Sequence, residues 1–322
     1  MGYGAWASTA FLFLQFLAFS SEPTKDEIDP KSIIRTIVSN DGQIFVCVRF
    51  MLQPSLQHPL LNNHIHLQMQ LPAGGNLTKF SNPSAEMSKI ECPPRTVPIL
   101  ISYNGSTANR PFDIINGTNW NEDDRRGYIA AVATIQSTLY ASYSEISVWE
   151  PDLGVGKPPR FSGAITTMQM EENQKSVHYM RAGLWIHISM ATIVSILRFD
   201  GDQQNANWCL SIGDEFVGYW PKELFRYMSE AASMVGWVGA AEAAAGEPYP
   251  PMGSGEPPAS SEGRAAFFDR AKIVDQSKSV VVPDLGNIFT QTTDPNCYRV
   301  GRTDMFDEGL HFYFGGPGCM PN

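Results

Sequence analysis

Histidine, serine, lysine and cysteine occur in this chain at spacings that invite a chemical reading. His58, His64 and His66 lie close together, and His64-x-His66 on a strand would turn both rings to one face. Two imidazoles and a third ligand can hold a transition metal, but no fourth ligand accompanies these, so they read as structural. Gly253-Ser254-Gly255 is not the G-x-S-x-G elbow of hydrolases, and no triad order supports it. Gly154-Val155-Gly156-Lys157 lacks the length and the following helix of a phosphate loop and reads as a turn. We therefore expect neither a metal nor a cofactor.

The five cysteines, Cys47, Cys92, Cys209, Cys297 and Cys319, contain no CxxC spacing, which argues against a thiolate zinc site. In an oxidising compartment the simplest pairing is local, Cys47 with Cys92 and Cys297 with Cys319. Each bridge would stabilise the fold by roughly 2–4 kcal/mol. Cys209 is then left alone beside Trp208, in a run that reads as buried.

An oxidising compartment is what the N-terminus predicts. Residues 1–20 carry no charged side chain, and Ala10 to Phe19 form an apolar block of signal-peptide length, too short for a stable membrane anchor. Ala18 and Ser20 stand at the −3 and −1 cleavage positions, and Ser21-Glu22-Pro23-Thr24-Lys25-Asp26-Glu27 follows, although the usual basic n-region is missing. Three N-x-[ST] sequons, at Asn76, Asn104 and Asn116, lie in Gly- or Asn-rich stretches where a glycan would face solvent. No later segment offers eighteen apolar residues in a row, so nothing else would retain the chain in a membrane. A formal charge of −10 argues against nucleic acid or an anionic membrane as partner. The expected product is secreted and glycosylated.

The elements that must position any site read as mainly β. A short helix is expected from Pro30 to Val38, then a turn at Asp41-Gly42 and a strand from Gln43 to Phe50. Ser144 to Trp149 alternates, Trp185 to Phe199 is the strongest strand material, and Val280 to Val282 and Leu310 to Phe314 are further strand cores. Leu224, Phe225, Met228 and Ala232 recur at helical spacing after Pro221, which predicts one interrupting helix. Ala243 to Gly263, rich in Pro, Gly, Ala and Ser, reads as a loop. Many strands, few helices and Gly/Pro turns predict an antiparallel β-sandwich.

Longer strings carry a resemblance. Asp41-Gly42-Gln43-Ile44-Phe45-Val46-Cys47-Val48, His58-Pro59-Leu60-Leu61-Asn62-Asn63-His64 and Cys92-Pro93-Pro94-Arg95-Thr96-Val97-Pro98-Ile99 come first. Val148-Trp149-Glu150-Pro151, Phe161-Ser162 and Val217-Gly218-Tyr219-Trp220-Pro221 follow. Met252-Gly253-Ser254-Gly255, Asn296-Cys297-Tyr298 and Phe312-Tyr313-Phe314-Gly315-Gly316-Pro317-Gly318 complete the set. Together, and in this order, they resemble the plant neprosin family, its activation-peptide region and then its mature domain. The resemblance implies a signal peptide at 1–20, a small α+β activation-like pro-region at 21–118 and a β-sandwich domain at 119–322. It also implies a secreted proenzyme of a proline-specific glutamic endopeptidase, with proline-containing peptides as ligands and two glutamates in the cleft. Paired carboxyls divide the work there, one ionised to take a proton from water and one protonated to polarise the scissile carbonyl.

This chain departs from that pattern at both glutamates. The Glu-Ala-Gly-Trp context is matched by Met180-Arg181-Ala182-Gly183-Leu184-Trp185, which places Arg181 at the first position. The Trp-Gly-Gly-Glu context is matched by Trp237-Val238-Gly239-Ala240, which places Ala240 at the second. A guanidinium is no general acid, and it would hold a neighbouring carboxyl ionised. Glu242 is the candidate replacement for the second glutamate, on the same strand face as Ala240 but displaced by roughly 6–7 Å. Its bland reading is a solvated loop charge. Glu171 and Glu172 are too far from Arg181 along a strand to replace the first. The family's long strand-rich stretch after the Ala-Gly-Trp string is also missing here, which predicts a shortened sandwich with exposed sheet edges. The resulting expectation is a non-catalytic secreted relative, against the alternative of an active acid endopeptidase using Glu242 and a second carboxyl.

Overall fold

The computed structural model describes residues 10–12, 28–38, 43–53, 59–61, 92–103, 106–107, 125–149, 151–152, 154, 161–172, 176–186, 193–201, 207–212, 215–225, 228–258 and 264–320. These residues form strands joined by turns and short 3₁₀ segments. Contacts divide the chain into two units, one of residues 1–17, 71–87 and 113–322 and one of residues 18–70 and 88–112.

The smaller unit holds a four-stranded antiparallel sheet of β2 (Ile33–Val38), β3 (Gln43–Arg49), β4 (Thr96–Tyr103) and β5 (Ser106–Thr107), in that order. The helix expected at Pro30 to Val38 is a single 3₁₀ turn, Pro30–Ser32, capped by the Asp29 carboxylate, which accepts from the Lys31 amide. From Ile33 the β-branched run Ile33-Ile34-Arg35-Thr36-Ile37-Val38 continues as strand, because stiff side chains lose less there than in a helix. Among the described residues of this unit the helical segments are 3₁₀ turns. Cys47, fully buried on β3, is bridged to Cys92, with Cα atoms 5.5 Å apart.

The larger unit contains two antiparallel sheets. Sheet I runs β1 (Ala10–Leu12), β9 (Ser176–Ile186), β8 (Phe161–Glu172), β13 (Ala232–Ala244), β6 (Arg125–Leu139) and β16 (Ile288–Thr292). Sheet II runs β12 (Glu215–Trp220), β11 (Trp208–Ile212), β10 (Ile193–Gly201), β7 (Ala141–Val148), β14 (Ala266–Val274), β18 (Gly309–Gly315) and β17 (Arg299–Phe306), with β15 (Val280–Val281) also on β14. Neither sheet closes into a barrel.

The two sheets pack face to face. Ser144 on β7 meets Thr166 on β8, oxygen to oxygen at 3.2 Å. Gly239 on β13 lies under the Phe314 ring of β18, where a Cβ would stand 2.1 Å from a ring carbon, so only glycine lets the sheets approach this closely. Trp237, Phe268, Phe312, Phe314, Ile146 and Met168 are all fully buried. Large rings from sheet II meeting small residues on sheet I is the complementarity a sandwich core needs. The antiparallel sandwich expected from the sequence is the fold observed.

The strand material from Trp185 to Phe199 is observed as strand at both described ends, Trp185 and Ile186 on β9 in sheet I and Ile193 to Phe199 on β10 in sheet II. Apolar residues continue through both strands, and periodicity does not mark a change of sheet. Two local readings are corrected. The helix after Pro221 is one 3₁₀ turn, Lys222–Leu224, and Ala232 already belongs to β13. Leu224, Phe225 and Met228 are buried without forming a helical stripe. The loop expected from Ala243 begins two residues later, since β13 holds its pairing through Ala244 opposite Arg125.

Candidate functional site

Strand register fixes where the expected catalytic positions lie. On β8, Thr166 faces sheet II, so the alternate positions Phe161, Gly163, Ile165 and Thr167 belong to the outer face of sheet I. Arg181 is paired with Thr167, Ala240 with Gly163, and Glu242 with Phe161. All three positions therefore share the outer face. They are not brought together. Four residues along β8 amount to about 13 Å, and two strand spacings separate β9 from β13, so the positions of Arg181 and Ala240 are on the order of 16 Å apart. Glu242 is a further two residues away from Arg181. No carboxyl pair at positions 181 and 240 would share a proton or a water.

Glu242 itself is a buried strand residue, 1% exposed, which corrects its reading as a solvated loop charge. Ala and Gly made this stretch look like a loop. In the middle of a sheet, between β6 and β8, small residues instead pack on both faces. The register is unbroken from Val235 to Ala244, so no bulge returns Glu242 to the place of Ala240. Around it the outer face is floored by small residues, with Gly127 opposite Glu242 and Gly163 opposite Ala240. Buried polar groups lie further along the same face, where Gln169 donates to Thr167 and Thr167 donates to the Gly236 carbonyl.

Four of the strings quoted above converge in space. Trp149, Ser162, Gly253 and Phe314 come one from each, and they line one water-sized recess of about 10 Å³ with Ser147, Gly163 and Ala164. Ser162, whose buried Oγ has no hydrogen-bond partner among the described residues, supplies the polar lining a single water needs. Trp149 donates through Nε1 to Ser147 Oγ, which donates to the Phe267 carbonyl and accepts from the Phe267 amide. The recess holds motif segments together and is too small for a substrate. Met252 pairs with Gly316 across the same region, and Cys297 is bridged to Cys319 with Cα atoms 5.5 Å apart.

Sequence reasoning missed the other charged cluster, on the outer face of sheet II. Glu145 on β7 and Asp269 on β14 are directly opposite one another, which sets two carboxylates on one face. A β-bulge follows Asp269, and Arg270 sits there at φ 49°, a conformation that non-glycine residues seldom adopt. The bulge turns the Arg270 guanidinium onto Glu145 at 2.7 Å, while His311 Nδ1 lies 3.0 Å from Asp269 Oδ1. The His311 bond, above all, holds the Asp269 carboxyl below the usual range, helped by the Arg270 amide and both cations and opposed by burial. The signal available in the sequence was the dipeptide Asp269-Arg270 interrupting an apolar run after Phe267-Phe268.

Several sequence expectations lie outside the described residues: His58, His64 and His66, and the sequons at Asn76, Asn104 and Asn116. Among the described residues the grouping with metal-ligand geometry is Asp294, Cys297 and Cys319, and its two sulfurs are joined as a disulfide. Cys209 is a buried cysteine on β11 that takes part in neither disulfide. No helix of the described chain is long and apolar enough to cross a membrane.

Two open antiparallel sheets packed face to face, with the Cys297–Cys319 bridge joining the segments that flank β17 and β18, define a disulfide-bearing β-sandwich domain. Within it, residues 161–317 match the family model Neprosin. The match covers just under half of the chain and supports the neprosin resemblance of this domain.

Proposed function

We propose that this chain is a secreted neprosin-family protein without peptidase activity, acting as a binding partner in the extracellular space. One observation carries the reading: the places where the resemblance puts two glutamates hold Arg181 and Ala240, and register separates them by on the order of 16 Å. General acid–base hydrolysis needs both groups within reach of one water and one carbonyl. Export is supported by the charge-free residues 1–20 and by two disulfides, which persist in oxidising compartments. The sequons extend this to a glycoprotein, the stretch 21–118 to an activation-like pro-region, and the family resemblance to proline-containing peptides as ligands.

A second reading draws on the burial of Glu242 on the same face. A carboxyl shielded from water is the kind that serves as a general acid. On that reading the chain is an acid endopeptidase using Glu242 and another carboxyl. Purified secreted protein incubated with a proline-rich peptide across the acid range decides between them. We expect no cleavage at any pH. Cleavage that is abolished in Glu242→Gln would overturn the non-catalytic reading and establish the second.

A further inference from the structure

We propose that the outer face of sheet II binds a neutral, hydroxyl-rich glycan, seated on the rings of Phe267, Tyr313 and Phe306 and bonded by the Glu145 and Asp269 carboxylates. The proposal goes beyond the function above and does not depend on it.

The rings form an arc around His311. Its ring centroid lies 4.7 Å from Tyr313, 5.8 Å from Phe267 and 6.5 Å from Phe306. Phe267, His311 and Tyr313 are half-buried and Phe306 is 54% exposed, which leaves ring surface open to solvent on one side of the sheet. A site combining apolar rings with a few fixed polar groups suits a ligand that has both apolar faces and hydroxyls. A pyranose presents C–H groups on its faces and hydroxyls around its edge.

Charge balance narrows the class. Arg270 neutralises Glu145, and Arg302 pairs with Asp304, which lies opposite His311 on β17. His311 is bonded to Asp269 and fills the centre of the aromatic arc, the place a ligand cation would take. Lys272 lies on the same face, opposite Tyr143. Among the described residues named on it, three permanent cations (Arg270, Arg302 and Lys272) stand against three carboxylates (Glu145, Asp269 and Asp304). This set carries no net charge to select an ion. What remains is acceptor capacity, since a carboxylate offers about four lone-pair sites and these contacts leave some unfilled. Such acceptors call for donors. A proline-rich peptide has few, because proline carries no N–H, whereas every sugar ring brings several hydroxyl donors.

The geometry is also built at a cost. Asp269 and Glu145 are like charges directly across a strand pair, and Arg270 is held at positive φ. Gly309 is required beneath the bulge, since a Cβ there would stand 2.4 Å from the Arg270 carbonyl carbon. Bulges of this kind re-aim side chains beside functional sites.

The test is titration calorimetry of the full secreted chain with cellohexaose, xylohexaose and mannohexaose. Polygalacturonate, hexalysine and a proline-rich peptide serve as comparators. We expect at least one neutral hexasaccharide to bind and the comparators not to. Phe306→Ala should weaken that binding about fivefold or more while leaving the melting temperature unchanged, because the ring is largely exposed. Asp269→Asn should weaken it as well. The proposal is overturned if no neutral oligosaccharide binds, if Phe306→Ala binds as well as the native chain, or if only the charged or proline-rich comparators bind.

Discussion

The outer faces of the two sheets differ in what they do with carboxylates. On sheet I the family resemblance calls for two, and the chain offers Arg181 and Ala240, with a buried Glu242 displaced along β13. On sheet II no resemblance calls for any, yet Glu145 and Asp269 stand opposite each other, Glu145 paired with the Arg270 guanidinium and Asp269 with the His311 ring. Sheet I keeps a regular register through its critical stretch, whereas sheet II spends a bulge and a positive-φ arginine on its cluster. The comparison teaches that a motif can keep its place in a fold after losing its charge. Charge chemistry can meanwhile be assembled elsewhere by backbone irregularity that no motif records.

The sharpest way to break this contrast is Gly309→Ala. Gly309 has φ 146°, and the added methyl would meet the Arg270 backbone at 2.4–2.5 Å. Since the obstacle is backbone, it cannot swing aside. We expect a loss of about 3–5 kcal/mol from overpacking and strain, read by urea unfolding. A loss under about 1 kcal/mol would show that the bulge relaxes freely and is no costly device.

Strand cores of sheet II were legible in the sequence, and the central strands β6, β8 and β13 of sheet I were not. Strand cores such as Leu310 to Phe314 and the alternation through Ile146 announced themselves by period, and the local cysteine pairings followed from separation. Glu242 was hidden because propensity reads an Ala/Gly run as loop, while a central strand between two neighbours accepts small residues on both faces. The Asp269–His311 pair was hidden because its members are 42 residues apart and meet only through the β14–β18 register. Arg181 and Ala240 could be located by motif, but their separation depends on β8 lying between their strands, which local sequence does not state.

A smaller effect sharpens the electrostatic half of the comparison. The Asp269 carboxyl is held low in the folded state, chiefly by its His311 bond. A depressed carboxylate contributes stability above the unfolded value of about 3.9, and that stability is lost as pH falls through the folded value. Asp269→Asn should therefore be less stable than the native chain near neutrality, with the difference shrinking toward zero on acidification below the ordinary carboxylate range. Urea midpoints measured along that pH series check it. A difference independent of pH would mean that Asp269 acts through packing and not through charge.

The smallest effect concerns the edges. Sheet I ends in β1, where Ala10, Phe11 and Leu12 pair antiparallel with Ile186, Trp185 and Leu184 of β9. These three residues lie inside the apolar block that reads as a cleaved signal, so the chain starting at Ser21 would lack β1. β9 would then be the bare end of sheet I, with its backbone donors and acceptors on that side open to water or to another strand. Hydrogen exchange comparing the full chain with one beginning at Ser21 should show faster exchange confined to residues 184–186. The local change should be about 1 kcal/mol, with β13 and the whole of sheet II unaffected, since none of these strands pairs with β1. Faster exchange spreading into β13 would mean that the N-terminal strand supports the sheet as a whole. Exchange unchanged at 184–186 would mean that another strand takes its place, with β9 as an edge made for pairing.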